Sequence, residues 1–204
     1  DYQLNWMYWR YFMWNFAGRQ NDIHSPSPGD PFIGNWESGI KPLDNFRNGD
    51  QSDAPDYLKN NPGKNHYYML PLLLGLIGLF FQFGRDKRGC WLTFLMFFMT
   101  GIAIVIYLNQ PPFQVRERDY AYAGSFYSFS IWIGLAVAAV YSWFEDRMKE
   151  KAGVVVASAV TVAMLGVPAL MAAENWDDHD RSNRYTAVEM AKNYLNSVGP
   201  NGIL

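Results

Sequence analysis

A disulfide within this chain is excluded, because Cys90 is its only cysteine, and a single thiol gives no reading of the redox compartment. A Walker A loop, a GxSxG nucleophile elbow and a dense basic cluster are also missing. Their absence argues against phosphate-loop, serine-hydrolase and nucleic-acid-binding chemistry. No internal repeat and no low-complexity tract is present.

The absence that says most is one of charge. Residues 67–83, 90–108, 120–144 and 152–173 contain no Asp, Glu, Lys or Arg. Runs of about 20 apolar residues are long enough to cross a bilayer, so these four read as transmembrane helices. The first is short at 17 residues, with Tyr67 and Tyr68 placed to anchor it at the interface. A mean hydropathy of −0.16 conceals this segregation, because the polar residues are gathered in the connections. The expected fold class is all-α, a polytopic membrane segment with four spans. The same lack of charge counts against a solute transporter, whose pathway usually carries ionisable groups within the spans.

What is present then orients the chain. Arg85, Lys87 and Arg88 lie between the first two spans, and Arg147, Lys149 and Lys151 between the last two. By the positive-inside tendency both turns are expected on the cytoplasmic side. Residues 1–66, the connection near residue 116 and residues 174–204 then fall on the outer side. Residues 1–16 are dense in aromatics but interrupted by Asn5, Arg10 and Asn15. They read as a helix lying at the lipid headgroups, or as the tail of an earlier span. Residues 18–66 are rich in Pro, Gly, Asn and Asp and read as an ordered outer loop packed over the membrane domain. Ser130, Gly134, Ala138 and Ser142 recur every four residues, a row that lets another helix approach closely. Residues 174–204 read as the start of a soluble outer domain. A chain opening on Asp1 and closing on Asn201-Gly-Ile-Leu204 is expected to be an internal fragment.

Arg116-Glu-Arg-Asp-Tyr-Ala-Tyr packs four charges directly before the third span. Arg116 and Arg118 could hold a lipid-linked phosphate, since guanidinium forks suit phosphate oxygens and a helix start is electropositive. Glu117, Asp119, Tyr120 and Tyr122 would support them or meet sugar hydroxyls. Interfacial ion pairing explains the same charges without a ligand. Trp176-Asp-Asp-His-Asp-Arg181 offers oxygen-rich ligands but matches no metal spacing, and reads as an acidic cap on the following helix. Asp22 and His24 are further candidates for a general base or sugar contacts on the outer side. His66 reads as an interfacial residue.

Four blocks together resemble a known family: Arg10-Tyr-Phe-Met-Trp-Asn-Phe-Ala-Gly-Arg-Gln-Asn-Asp22, Arg116-Glu-Arg-Asp-Tyr-Ala-Tyr-Ala-Gly-Ser-Phe-Tyr127, Asn175-Trp-Asp-Asp-His-Asp-Arg-Ser-Asn-Arg184 and Ala191-Lys-Asn-Tyr-Leu-Asn-Ser197. They look like a bacterial membrane family grouped with protein O-mannosyltransferases of the GT-C glycosyltransferase superfamily. The resemblance implies a multi-pass enzyme of the bacterial inner membrane, with long loops on the periplasmic side. Such an enzyme moves a sugar from a polyprenyl-phosphate carrier to an acceptor, expected to be a protein, with no cofactor and no metal. Membrane lipids are its surroundings, and no nucleic acid is involved. The catalytic carboxylate of such enzymes usually lies in an earlier outer loop, so no residue here inherits that role and the segment alone is expected to be inactive. The competing reading is a non-enzymatic membrane scaffold for envelope assembly.

Overall fold

The computed structural model describes residues 2–23, 29–112, 118–147, 151–199 and 202. The protein is mostly helical. A π-helical segment, Tyr2–Trp9, runs into α1 (Arg10–Phe16), and a short strand β1 (Gly18–Arg19) follows. The loop then carries α2 (Lys41–Asn48) and α3 (Asp56–Lys59) before β2 (Asn65–His66) returns antiparallel to β1. Four apolar stretches come next: α4 (Leu70–Arg85); α5 (Lys87–Thr100) with α6 (Ile102–Leu108); α7 (Ala123–Arg147); and α8 (Lys151–Met164) with α9 (Gly166–Glu174). A single turn, α10 (Trp176–His179), and the helix α11 (Thr186–Ser197) complete the chain.

Three of these stretches are long and apolar enough to cross a membrane: Lys87–Leu108, Asp119–Arg147 and Gly153–Glu174, with mean hydropathies of 2.2, 1.6 and 2.2. Their outward surfaces are apolar. Trp91, Ile106, Tyr107, Trp143, Val155 and Val162 are all exposed, as expected where hydrocarbon rather than water is the solvent. The first expected span differs from its sequence reading. It begins at Leu70 and has 16 residues, about 24 Å at 1.5 Å per residue, against a hydrocarbon core of about 30 Å. The physical reason lies just before it. Tyr67 N–H donates to the Ala17 carbonyl and Tyr68 N–H to the Ser38 carbonyl. Tyr68 and Met69 adopt left-handed backbone conformations, with φ of 52° and 57°. These residues are tied to the loop instead of joining the helix.

α7 is the central helix, with α4, α5 and α8 packed around it. α4 runs parallel to it and closest: a Cβ on Gly75 would meet the Phe129 ring, and one on Gly78 would fall on the Trp132 carbonyl. α5 runs antiparallel, bringing Gly101 beside Ser125 and Gly124 beside Thr100. The small-residue row on α7 is not the packing face. Ser130, Gly134 and Ala138 are exposed and Ser142 is half-buried, while Ser125, Ser128, Phe129, Trp132 and Ala136 are buried. The smallness that permits close approach sits on the partner helix α4, where the aromatic residues of α7 fill the space.

These packing directions place both basic turns at one end of the bundle. Arg85, Lys87 and Arg88 sit where α4 meets α5, and Arg147 closes α7, which runs parallel to α4. The loop 29–66, the 3-10 turn Asp119–Tyr122 and α10 gather at the other end. There the amino-terminal segment departs from its sequence reading. Trp6, Met7, Tyr8, Phe12, Met13, Trp14 and Phe16 are buried. Phe12 lies 4.9 Å from Phe129 and 5.9 Å from Phe97, centroid to centroid. The aromatics assigned to lipid headgroups are core residues, because the loop on one side and α5 and α7 on the other cover them.

The loop itself is held by polar side chains, as an ordered layer must be when its backbone is buried. Trp14 Nε1 donates to the Asn35 carbonyl at 3.0 Å, Asn21 Nδ2 to the Phe32 carbonyl at 2.8 Å and Asn48 Nδ2 to the Trp36 carbonyl at 3.1 Å. The Asp44 carboxylate accepts from Ser38 N–H, Ser38 Oγ and Gly39 N–H, all within 2.9 Å. α11 is different in kind: it buries none of its residues.

Candidate functional site

Arg116, Glu117 and His24 lie outside the described residues. Of the remaining expected site residues, Arg118 is exposed at the start of the 3-10 turn, and its guanidinium makes no hydrogen bond or ion pair with the described residues. Asp119 makes no ion pair with Arg118. Its Oδ1 lies 2.9 Å from the Tyr122 hydroxyl, which also lies 3.1 Å from the Met7 carbonyl, so the one phenolic proton is shared between two acceptors. Tyr122 is 1% exposed and Tyr120 is 67% exposed. Tyr122 is therefore a lock between the turn and the amino-terminal segment, while Tyr120 stays available to a ligand. Asp22 is exposed and packs on Gly63.

The block around Arg118 is seated on the π-helical segment. Gln3 Nε2 donates to Asn109 Oδ1 at 3.0 Å, and the Tyr8 hydroxyl lies 3.1 Å from Ser125 Oγ. The opposite face of the same segment, with Tyr2, Asn5, Trp6 and Trp9, forms one wall of a cleft of about 630 Å³. The other wall comes from the loop, with Asp30, Trp36, Arg47 and Asn48. The Arg47 guanidinium stacks 4.3 Å over the Trp36 ring and donates to the Trp36 carbonyl and to Asn48 Oδ1 through one terminal nitrogen. Partial desolvation by the cleft lowers its pKa to about 10, against the pull of Asp44, and it remains a cation at neutral pH.

A second polar region joins elements far apart in sequence. Arg19 donates to Asp178 Oδ2 at 2.8 Å as a salt bridge and reaches the Gly63 carbonyl. His66 N–H donates to Glu174 at 3.0 Å, Asn65 Nδ2 to Asn175 Oδ1 at 3.2 Å, and Asn175 Nδ2 to the Tyr67 hydroxyl. This corrects the reading of residues 176–181. The acidic run does not cap the following helix, which begins only at Thr186. Asp178 is committed to Arg19, and Asp180 accepts from Ser182 N–H. His66 likewise belongs to a strand and a charge cluster rather than to a bare interface.

Beside this junction Glu37 faces Lys64 at 3.4 Å and His66 Nε2 at 3.2 Å, on the wall of a polar cavity of about 450 Å³. The imidazole lies at ion-pair distance but off the hydrogen-bonding direction, and Glu37 Oε2 is buried with no hydrogen bond among the described residues. Burial pushes the Glu37 carboxyl up, but the His66 imidazole and the Lys64 ammonium together outweigh it and hold the group below its ordinary value. It is an ionised carboxylate at neutral pH. A carboxyl whose folded pKa is depressed stabilises the protein fully above its unfolded value, and the contribution is lost as pH falls through the folded value. Thermal midpoints measured from about pH 6 down to about pH 3 are thus expected to fall less steeply in Glu37→Gln than in the parent; equal slopes would exclude Glu37 as a source of acid sensitivity.

Sequence reasoning does not single out Arg19, Glu37, Arg47 or Trp36 as site residues. The one signal among them is Trp36, the single tryptophan of residues 18–66. Compared with protein-family models, curated proteins and solved structures, the chain matches none, so its functional reading rests on its own residues.

Proposed function

We propose that the chain is part of an integral-membrane glycosyltransferase that moves a sugar from a polyprenyl-phosphate carrier to an acceptor, a protein, on the outer face of a bacterial inner membrane. In this reading α4 makes a fourth crossing, the basic turns at Arg85–Lys87 and Arg147 face the cytoplasm, and the loop end faces the periplasm. The observation that carries it is the placement of Arg118. It is an exposed guanidinium, unpaired with the described residues, at the loop end of a long apolar helix and seated on a segment that also walls a cleft. A carrier phosphate must be held where its lipid tail enters hydrocarbon, and an uncommitted guanidinium there supplies the donor geometry. Arg116 is the second expected clamp, with Glu117, Asp119 and Tyr120 around it, and Asp22 and His24 as outer sugar contacts. The resemblance to protein O-mannosyltransferases supports the same reading.

The scaffold reading has one observation in its favour. α11 exposes Val188, Met190, Tyr194 and Leu195, apolar side chains that a recruited partner would cover. Transfer from radiolabelled polyprenyl-phosphate sugars, assayed in membranes with the full-length protein, separates the two. Arg118→Ala and Arg116→Ala are expected to lower transfer at least about tenfold, the equivalent of about 1.4 kcal/mol, with unchanged expression. Wild-type transfer rates in both variants would remove the clamp, and no transfer by the parent would favour the scaffold.

A further inference from the structure

We infer that the cleft between the π-helical segment and the loop is a saccharide-binding site, with Trp9 as the platform on which a neutral pyranose ring stacks. Trp9 is 48% exposed in a segment whose neighbours Trp6 and Tyr8 are buried. One face of its indole stacks on Phe12, at 5.3 Å and 17° between planes, which fixes the ring without covering its outer face. The other two indoles of the cleft are already occupied. Arg10 lies 4.5 Å over Trp6, and Arg47 lies 4.3 Å over Trp36.

The polar groups opposite Trp9 complete the chemistry. Arg47 uses one terminal nitrogen on Trp36 and Asn48; its Nε and second terminal nitrogen have no acceptor among the described residues. Asp30 accepts from Phe32 N–H through Oδ1 at 2.8 Å, and its second oxygen has no hydrogen bond among the described residues. A sugar hydroxyl both donates and accepts, so a cationic donor and an anionic acceptor on the same wall match a run of adjacent hydroxyls. The C–H bonds on one face of a pyranose carry partial positive charge and meet the negative face of an indole. A lipid tail would satisfy the indole but strand Arg47 and Asp30. A phosphate would satisfy Arg47 but meet the Asp30 carboxylate. A volume of about 630 Å³ lies in the range of small-ligand sites, about 300–1,000 Å³, and accommodates one or two sugar rings.

Such a site deepens the transferase reading by giving the sugar a seat, and it depends on that reading only for the transfer step after binding. Its test therefore uses binding without turnover. Saturation-transfer NMR on the full chain in nanodiscs, with the methyl glycosides of mannose, glucose and galactose as probes, is expected to show saturation of ring protons for at least one. Trp9→Phe should keep the signal and Trp9→Ala should weaken binding about tenfold or more. Arg47→Ala, which alters the opposite wall, should weaken it separately. Absence of saturation with all three glycosides, or equal saturation in the parent and Trp9→Ala, would overturn the site. Binding together with a failure of sugar transfer would leave the site standing and remove the transferase reading.

Discussion

Gly78→Leu is expected to prevent assembly of the bundle, and Gly78→Ala to destabilise it by about 2–3 kcal/mol, net of the roughly 1 kcal/mol that alanine gains over glycine in a helix. The reason is the partner. A Cβ at this position would meet the backbone carbonyl of Trp132 and the amide of Ala136, not the flexible end of a side chain. Backbone in the middle of α7 cannot step aside, so α4 must move outward along its contact. That displacement would also pull Gly75 off Phe129 and Gln82 off Trp132, whose indole N–H donates to Gln82 Oε1 at 2.8 Å. Gly84→Ala, on the same helix with open space around it, is the control and should be neutral or slightly stabilising. Thermal melts in detergent check both. Equal midpoints for Gly78→Ala and Gly84→Ala would show that α4 and α7 do not touch at backbone distance.

The second large effect is expected at Arg10. Its side chain is 1% exposed, its Nε donates to the Trp6 carbonyl at 2.9 Å and one terminal nitrogen to the Gly34 carbonyl at 3.1 Å. The guanidinium plane is sandwiched between the rings of Trp6 and Trp14, 4.5 Å from each. Arg10→Ala removes a cation held between two aromatic faces and leaves the Gly34 carbonyl without its donor, at a cost of about 3–5 kcal/mol. Arg10→Lys keeps the charge but lacks the flat fork that fits between two indoles, and should recover less than half of the loss. Limited proteolysis of the loop 29–66 reads the effect directly, because Arg10 is what fastens Gly34 to the amino-terminal segment. Unchanged cleavage of Arg10→Ala would show that the remaining contacts, Trp14 on the Asn35 carbonyl and Asn21 on Gly34 among them, hold the loop without Arg10.

Local properties of the chain are more legible in its sequence than long-range ones. The charge-free runs mark three long apolar helices, because exclusion of charge from hydrocarbon is a residue-by-residue constraint. The loop after α1 reads as ordered, and over residues 29–66 its backbone carbonyls accept from Trp14, Asn21 and Asn48. Pattern alone misplaces the start of α4 because apolar Tyr67, Tyr68 and Met69 continue the run, and only hydrogen bonds to Ala17 and Ser38 remove them from the helix. The row Ser130, Gly134, Ala138 is regular, but regularity does not say which face a partner takes. The amino-terminal aromatics look interfacial because a single segment cannot show that other elements cover it. The polar junction is out of reach for the same reason, since Arg19 and Asp178 are 159 residues apart. Of the proposed phosphate clamp, the sequence supplies the residue types, and the structure describes Arg118, Asp119 and Tyr120 at the loop end of α7 and buries Tyr122 against the amino-terminal segment.

The last span has a mechanical consequence. Almost none of it is buried, with Gly153 and Ala157 the buried residues near its start. Its far end is fastened by Glu174, Asn175 and Asp178 to the hairpin of β1 and β2. A bilayer that thins or thickens changes the tilt of a span at little energetic cost. In a bilayer, a change of tilt of this helix would reach Arg19, Asn65 and His66 as a pull on the hairpin through Asp178, Asn175 and Glu174.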